Sequence, residues 1–177
     1  MVMGLDKKMT KSNLTVTHVI HSGGFYGAER MLVDLCLATQ QYVENTVVLI
    51  SAPQELLARF EKYGIYCVPC NSIQDLVNLT KKQSTIINAH NFKAQIYSWL
   101  SAKRNKLPLI FTQHGFTPRS IKQHIYMWTS IFLCKSSTVQ NVVCVANSIA
   151  LLHQKFHIPK SKIEIISNGL PKAALRI

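Results

Sequence analysis

The sequence predicts an α/β fold: a Rossmann-like open, mainly parallel sheet with helices on both faces. Three observations predict it. Short β-branched runs alternate with helical patterns from Leu14 onward, a glycine-rich segment joins the first run to the first helix, and turn residues punctuate the changes of period. In chain order the strands fall at Leu14–Ile20, Thr46–Ile50, Ile65–Val68, Thr85–Asn88, Leu109–Gln113, Val142–Val145 and Lys162–Ile166. The helices fall at Ala28–Gln40, Glu55–Tyr63, Ile73–Lys81, Lys93–Lys103, Ser120–Lys135 and Ser148–Phe156. Leu32, Leu35 and Cys36 recur at helical spacing and would face the sheet. Gly64 suits a helix end, and Pro108 suits entry into a strand.

A chain of 177 residues, 47% of them hydrophobic, can bury the core of one domain without disulfides or a metal. Residues 1–13 read as a polar extension, 14–170 as the domain, and 171–177 as the start of a linker. No apolar run approaches the ~20 residues of a membrane span, and Lys7, Lys8 and Lys11 stand where a signal peptide would be apolar. A cytoplasmic location is therefore expected. The five cysteines, Cys36, Cys67, Cys70, Cys134 and Cys144, read as free thiols of a reducing compartment. Twenty Lys and Arg against eight Asp and Glu leave a formal charge of +12, which suits an anionic partner. Nucleotide-sugar, anionic glycan, acidic lipid headgroup and nucleic acid all qualify, and a basic surface kept for solubility is the plain alternative.

The segment His21-Ser22-Gly23-Gly24-Phe25-Tyr26-Gly27-Ala28-Glu29-Arg30 joins the first strand to the first helix. In an open α/β sheet ligands bind at this rim, where strand ends and helix N-termini converge. Glycines let the backbone approach a phosphate, and the N–H groups of a helix start favour an anion by roughly 0.3–1 kcal/mol. A dinucleotide fingerprint would need glycine in place of Ser22 and an acid in place of Ile50-Ser51-Ala52, so NAD is disfavoured. Glu29 in the first helical turn either complements the helix dipole or orients sugar hydroxyls.

His90-Asn91 and His114-Gly115 follow the fourth and fifth strands, which points both histidines at the same rim. An imidazole there can exchange a hydrogen bond with a sugar hydroxyl when neutral, or stabilise a departing phosphate when protonated. His18 is expected to face the core. No Cys/His set has zinc spacing and no aspartates are paired, so neither metal nor cofactor is expected. Cys67-Val68-Pro69-Cys70 has C-x-x-C spacing but sits at a strand end, without the neighbours of a redox motif.

Thr17 to Arg30, Asn88-Ala89-His90-Asn91, Thr112-Gln113-His114-Gly115, Val143 to Ser148 and Ile163 to Gly169 together resemble glycosyltransferase family 4 of the GT-B superfamily. The resemblance implies the N-terminal, acceptor-side domain of a retaining, metal-independent enzyme. The cleft of such an enzyme is shared with a second domain that binds the nucleotide-sugar donor. By the same resemblance His114 would lie beside the transferred sugar as the catalytic residue, and Gly23, Gly24, Gly27, Glu29, His90, Asn91 and Gly115 would bind substrate. Asn168-Gly169 matches the crossing to the second domain, whose absence implies that this chain alone does not transfer sugar. The acceptor would be a glycan or a lipid-linked glycan of polysaccharide biosynthesis.

Arg119, Lys122, His124 and Lys135 interleave with Ile121, Ile125, Trp128, Ile131 and Phe132, a pattern suited to peripheral contact with an anionic membrane or to packing in the core. The rival reading is a non-catalytic α/β domain that binds anions or nucleic acid. It is weakened by the lack of an aromatic RNA-binding motif and of a concentrated basic run.

Overall fold

The computed structural model describes residues 13–83, 86–115 and 120–167. Its strands are β1 (Thr15–His21), β2 (Glu44–Ile50), β3 (Cys67–Cys70), β4 (Ile86–His90), β5 (Leu109–Gln113), β6 (Val139–Cys144) and β7 (Ile163–Ile165). The helices are α1 (Gly27–Thr39), α2 (Gln54–Glu61), α3 (Ile73–Gln83), α4 (Phe92–Asn105), α5 (Ile121–Leu133) and α6 (Asn147–Lys155). All strand pairs are parallel, in the order β3-β2-β1-β4-β5-β6-β7.

The strand order reverses between β1 and β4. From β1 the chain winds through β2 to β3, then crosses back to β4 and winds the other way to β7. A right-handed crossover fixes the face on which each helix lies. Accordingly α1 and α2 cover one face, where Leu32, Val33, Leu56 and Phe60 meet Ile20, Val47 and Leu49. The helices α3 to α6 supply Leu76, Ala94, Ile131 and Ile149 to the other face, against Val19, Val48, Ile87, Phe111 and Val142. The reversal lies between β1 and β4, and in open α/β sheets ligands bind in a crevice above the carboxyl ends of the strands at such a point.

β5 keeps the expected limits, β1, β2 and β7 differ from them by one or two residues at an end, β4 runs on to include His90, and β3 and β6 depart furthest. β3 runs through Pro69 to Cys70, past the Val68 limit that the proline suggests. As an edge strand paired only with β2, it loses nothing from a missing N–H on its outer side. β6 begins at Val139, and a register shift between Leu109 and Ile110 leaves Gln140 outside the paired positions, which breaks the alternation that marks a strand in sequence. Asn168, Gly169, Arg119, the 1–13 extension except Asn13, and the 171–177 linker lie outside the described residues.

Phe111 is fully buried at the centre of the sheet. Phe111→Ala removes that ring from a packed core and is expected to lower unfolding free energy by about 3–5 kcal/mol in urea titration, with an unchanged denaturant slope.

A histidine-lined rim at the strand reversal

Three sequence-distant segments converge at the reversal: the loop after β1, the β4–α4 corner and the end of β5. β1 neighbours β4, which neighbours β5, so His90 and His114 lie side by side, with His114 Nε2 and His90 Nδ1 3.1 Å apart. His114 is partly exposed, whereas His90 is completely enclosed and lies behind it. His18 is buried, as its strand position suggests, and its Nδ1 lies 3.2 Å from His90 Nε2. The three imidazoles thus form one hydrogen-bonded file running from the core to the rim. Burial lowers all three pKa values, that of His18 to about 4, and the nearby Glu29 carboxylate partly opposes the shift at His114. The file is therefore neutral at neutral pH, and His114 stands at the rim as a hydrogen-bonding imidazole and not as a cation.

The loop is held by its own side chains. The Ser22 hydroxyl donates to the Gly24 carbonyl at 2.7 Å, and Gly24 N–H lies 3.2 Å from the same oxygen. The serine that interrupts the dinucleotide fingerprint is thus the loop's internal brace. Glu29 is buried, and its carboxylate accepts the Tyr26 N–H at 2.8 Å, which satisfies one orphan donor at the start of α1. A Cβ on Gly24 would come within 2.8 Å of the Tyr26 hydroxyl, but that ring is 71% exposed and can swing aside. Gly23 and Gly27 have open space, so no contact within the domain requires glycine at either position.

Asn91 is committed to structure. It adopts a left-handed backbone (φ 68), donates through Nδ2 to the His21 carbonyl at 2.6 Å, and caps α4 by accepting from the Ala94 N–H. These bonds tie the β4–α4 corner to the end of β1. Gly115 has φ +136, and a Cβ at that position would meet no neighbouring atom, so backbone conformation alone selects glycine. Gly115→Ala is expected to cost about 1–3 kcal/mol in urea unfolding and to disturb the placement of His114.

Lys93 stands outside the candidates that the sequence offers, and Lys122, offered there for contact with an anionic membrane, lies at the same end of the sheet. The first turns of α4 and α5 hold no acid, and these lysines occupy them instead. Both lie close enough to depress the pKa of His21, after burial itself. The Lys93 ammonium lies 5.6 Å from the Tyr97 ring and the Lys122 ammonium 5.9 Å from the Tyr126 ring, each on its own helix, so the two make this end of the sheet electropositive without being locked in ion pairs of their own among the described residues. Lysine in a first helical turn is readable from sequence once the helix start is known.

Elsewhere the candidate chemistry thins out. Cys67 and Cys70 pack on opposite faces of the sheet and both are free; burial pushes the Cys67 thiol up to about 12. Among the described residues no group of three or more His, Cys, Asp or Glu is placed to hold a metal. No described helix is long and apolar enough to cross a membrane. Surface hollows at Lys103, Pro108 and Thr138 and at Thr15, Glu44 and Tyr66 lie at the opposite, amino ends of the strands.

An open, all-parallel sheet whose strand order reverses between β1 and β4 defines the class: a Rossmann-like α/β domain. The sequence profile of Glycosyltransferase Family 4 matches residues 25–173, and the chain belongs to that family. No curated protein matches the chain. Among solved structures it is similar to HepE of Anabaena in complex with UDP and glucose, with TM-score 0.75 and 14% identity over 89% of this chain and 45% of that one. A glycosyltransferase from Rickettsia africae gives TM-score 0.67 and 18% identity, covering 89% and 44% respectively. The lipopolysaccharide outer core galactosyltransferase WaaB gives 0.64 and 9%, covering 89% and 46%. The chain thus spans about half the length of each of these three structures.

Proposed function

We propose that this chain is the acceptor-side, N-terminal half of a retaining GT-B glycosyltransferase that moves a sugar from a nucleotide-sugar to a glycan or lipid-linked acceptor. The observation that carries the reading is the placement of the glycine loop, His114 and the lysine-bearing first turns of α4 and α5 at the carboxyl end of one parallel sheet. HepE, which shares the fold, has been solved with UDP-glucose as well as with UDP and glucose.

In this reading the loop N–H groups not taken by Ser22 Oγ or the Glu29 carboxylate, those of Gly23, Phe25 and Gly27, and the two lysines face the negative charge of the diphosphate as it departs. Fixed cations and N–H groups stabilise such charge without reorganising during the reaction. His114, neutral and partly exposed, takes a sugar hydroxyl, while Gly115 gives the turn that aims it. His90 holds His114 from behind, and Asn91 and Glu29 hold the backbone of the rim, so these three support the substrate site instead of touching substrate. A donor-binding domain supplies the other wall of the cleft, and this chain by itself transfers nothing. The same reading puts the reaction on the cytoplasmic side.

Calorimetry with the 177-residue chain tests the reading. Phosphorylated glycans and UDP-, GDP- or ADP-sugars are expected to give heats that His114→Ala weakens, and no sugar should be transferred. Binding of nucleic acid in a salt-sensitive gel shift, with no heat from any sugar ligand, would move the assignment to the binding-domain reading.

Membrane contact is favoured by a specific surface. Ile121, Ile125 and Phe132 are 83%, 59% and 72% exposed along α5, beside Lys122 and Lys135, whereas Trp128 is engaged edge-on by Phe156. Sedimentation with vesicles rich in anionic lipid at low salt is expected to carry the chain down, and Ile125→Asp with Phe132→Asp to abolish this. A wild-type chain left in the supernatant removes membrane contact from the account.

A further inference from the structure

The file of three histidines has a direction, and its origin lies in β2, outside the rim. Asn45 donates through Nδ2 to the Cys36 carbonyl at 3.2 Å and to Thr39 Oγ1 at 3.0 Å. A carbonyl can only accept, and the Thr39 hydroxyl proton is already directed to the Leu35 carbonyl at 2.8 Å, so the amide cannot be turned over. Its Oδ1 therefore faces His18 Nε2 at 3.2 Å, and that nitrogen must carry the proton.

The remaining assignments follow by exclusion. With Nε2 protonated, neutral His18 has a lone pair on Nδ1, so His90 Nε2 must donate across the 3.2 Å contact. Then His90 Nδ1 accepts, and His114 Nε2 must donate across 3.1 Å. Asn88 is compatible with this direction: its Oδ1 can accept the Thr112 hydroxyl at 2.8 Å while Nδ2 faces His18 Nδ1 at 3.5 Å, and because that hydroxyl can also accept, Asn88 can turn over with the file. No described residue is hydrogen-bonded to Nδ1 of His114.

We infer that Asn45, His18 and His90 are positioning residues that fix His114 in its Nε2–H tautomer, so that its Nδ1 presents a lone pair to the rim and accepts from a ligand hydroxyl. The inference rests on the proposed sugar site and adds a sorting rule to it. A phosphate oxygen has no proton to give to that lone pair and is directed to Lys93, Lys122 and the loop N–H groups, while a sugar hydroxyl is directed to His114. The group that opposes this arrangement is Glu29, whose carboxylate lies near His114 and would draw a proton to Nδ1.

Nitrogen-15 NMR of the histidine rings in the ligand-free chain reads the tautomers without any donor or acceptor, so it can fail while the transferase reading stands, and calorimetry can fail while the tautomers hold. In the wild type His18, His90 and His114 should each show one protonated nitrogen, Nε2, with through-hydrogen-bond coupling from His90 Nε2 to His18 Nδ1 and from His114 Nε2 to His90 Nδ1. A single Nδ1–H ring among the three, or a mixture at His114, overturns the proposal. Asn45→Leu withdraws the acceptor from His18 Nε2, and the file should then reverse as a unit, with Nδ1–H on all three rings. A folded Asn45→Leu in which His18 reverses while His114 keeps its Nε2–H also overturns it. Should that variant not fold, the wild-type couplings decide alone.

Discussion

Taken from about pH 7 to about pH 4, the domain is expected to lose several kcal/mol of stability, with the loss beginning near pH 6.5. In the unfolded chain each imidazole takes a proton near the ordinary value of 6.5, whereas buried His18 takes one only near 4. Between those values the unfolded state holds the extra proton, so stability is fully present above the unfolded pKa and falls as pH drops toward the folded one. For His18 alone the interval is worth about 3 kcal/mol. His90, His114, His21 and His153 are shifted in the same direction, burial being the largest cause for each. Urea titrations across this range should show a flat plateau above the window and a decline steeper than one proton per unfolding event within it. A flat profile down to pH 5 would mean that the three rings of the file are not neutral and enclosed.

The second large effect is catalytic. In an enzyme that carries a donor-binding domain, His114→Ala is expected to lower kcat/KM by about 10²–10³-fold, the range for deleting one preorganised hydrogen-bonding group from a transition-state site. Because the variant also leaves buried His90 Nδ1 without its partner, it is expected to lose about 1–3 kcal/mol of unfolding free energy, and the rates are compared where both proteins are folded. His157→Asn, on an exposed left-handed residue beyond α6, serves as the control and should leave the rate unchanged. Activity retained within a few-fold after His114→Ala would remove this residue from the reaction.

Much of the fold is legible in the sequence because the sheet is parallel and enclosed. Its strands read as apolar β-branched runs, and each is separated from the next by a helix of ordinary length. Pro69 hides the end of β3 because the rule against proline holds for inner strands, and no local feature marks β3 as an edge. Positions at the rim are legible for the same reason as the strands: the ends of β4 and β5 fix where His90 and His114 begin. What the two histidines do there is not. Strand register decides that His18, His90 and His114 line one face, and register across β1, β4 and β5 is a property of the assembled sheet. His18 can be placed in the core from sequence, but its link to Asn45 on β2 cannot. Asn91 looks like a ligand group by position, yet its amide is spent on the His21 carbonyl and the α4 cap.

Backbone amide shifts of the chain, followed while a UDP-sugar or a phosphorylated glycan is added, report directly whether the rim receives a ligand. Gly23, Gly24, His114 and Gly115 should move together and saturate at one ligand concentration, with Lys93 and Lys122 following. Shifts gathered instead around Lys103, Pro108 and Thr138 at the far ends of the strands, or none with any sugar tried, would contradict the assignment of this rim as the substrate site.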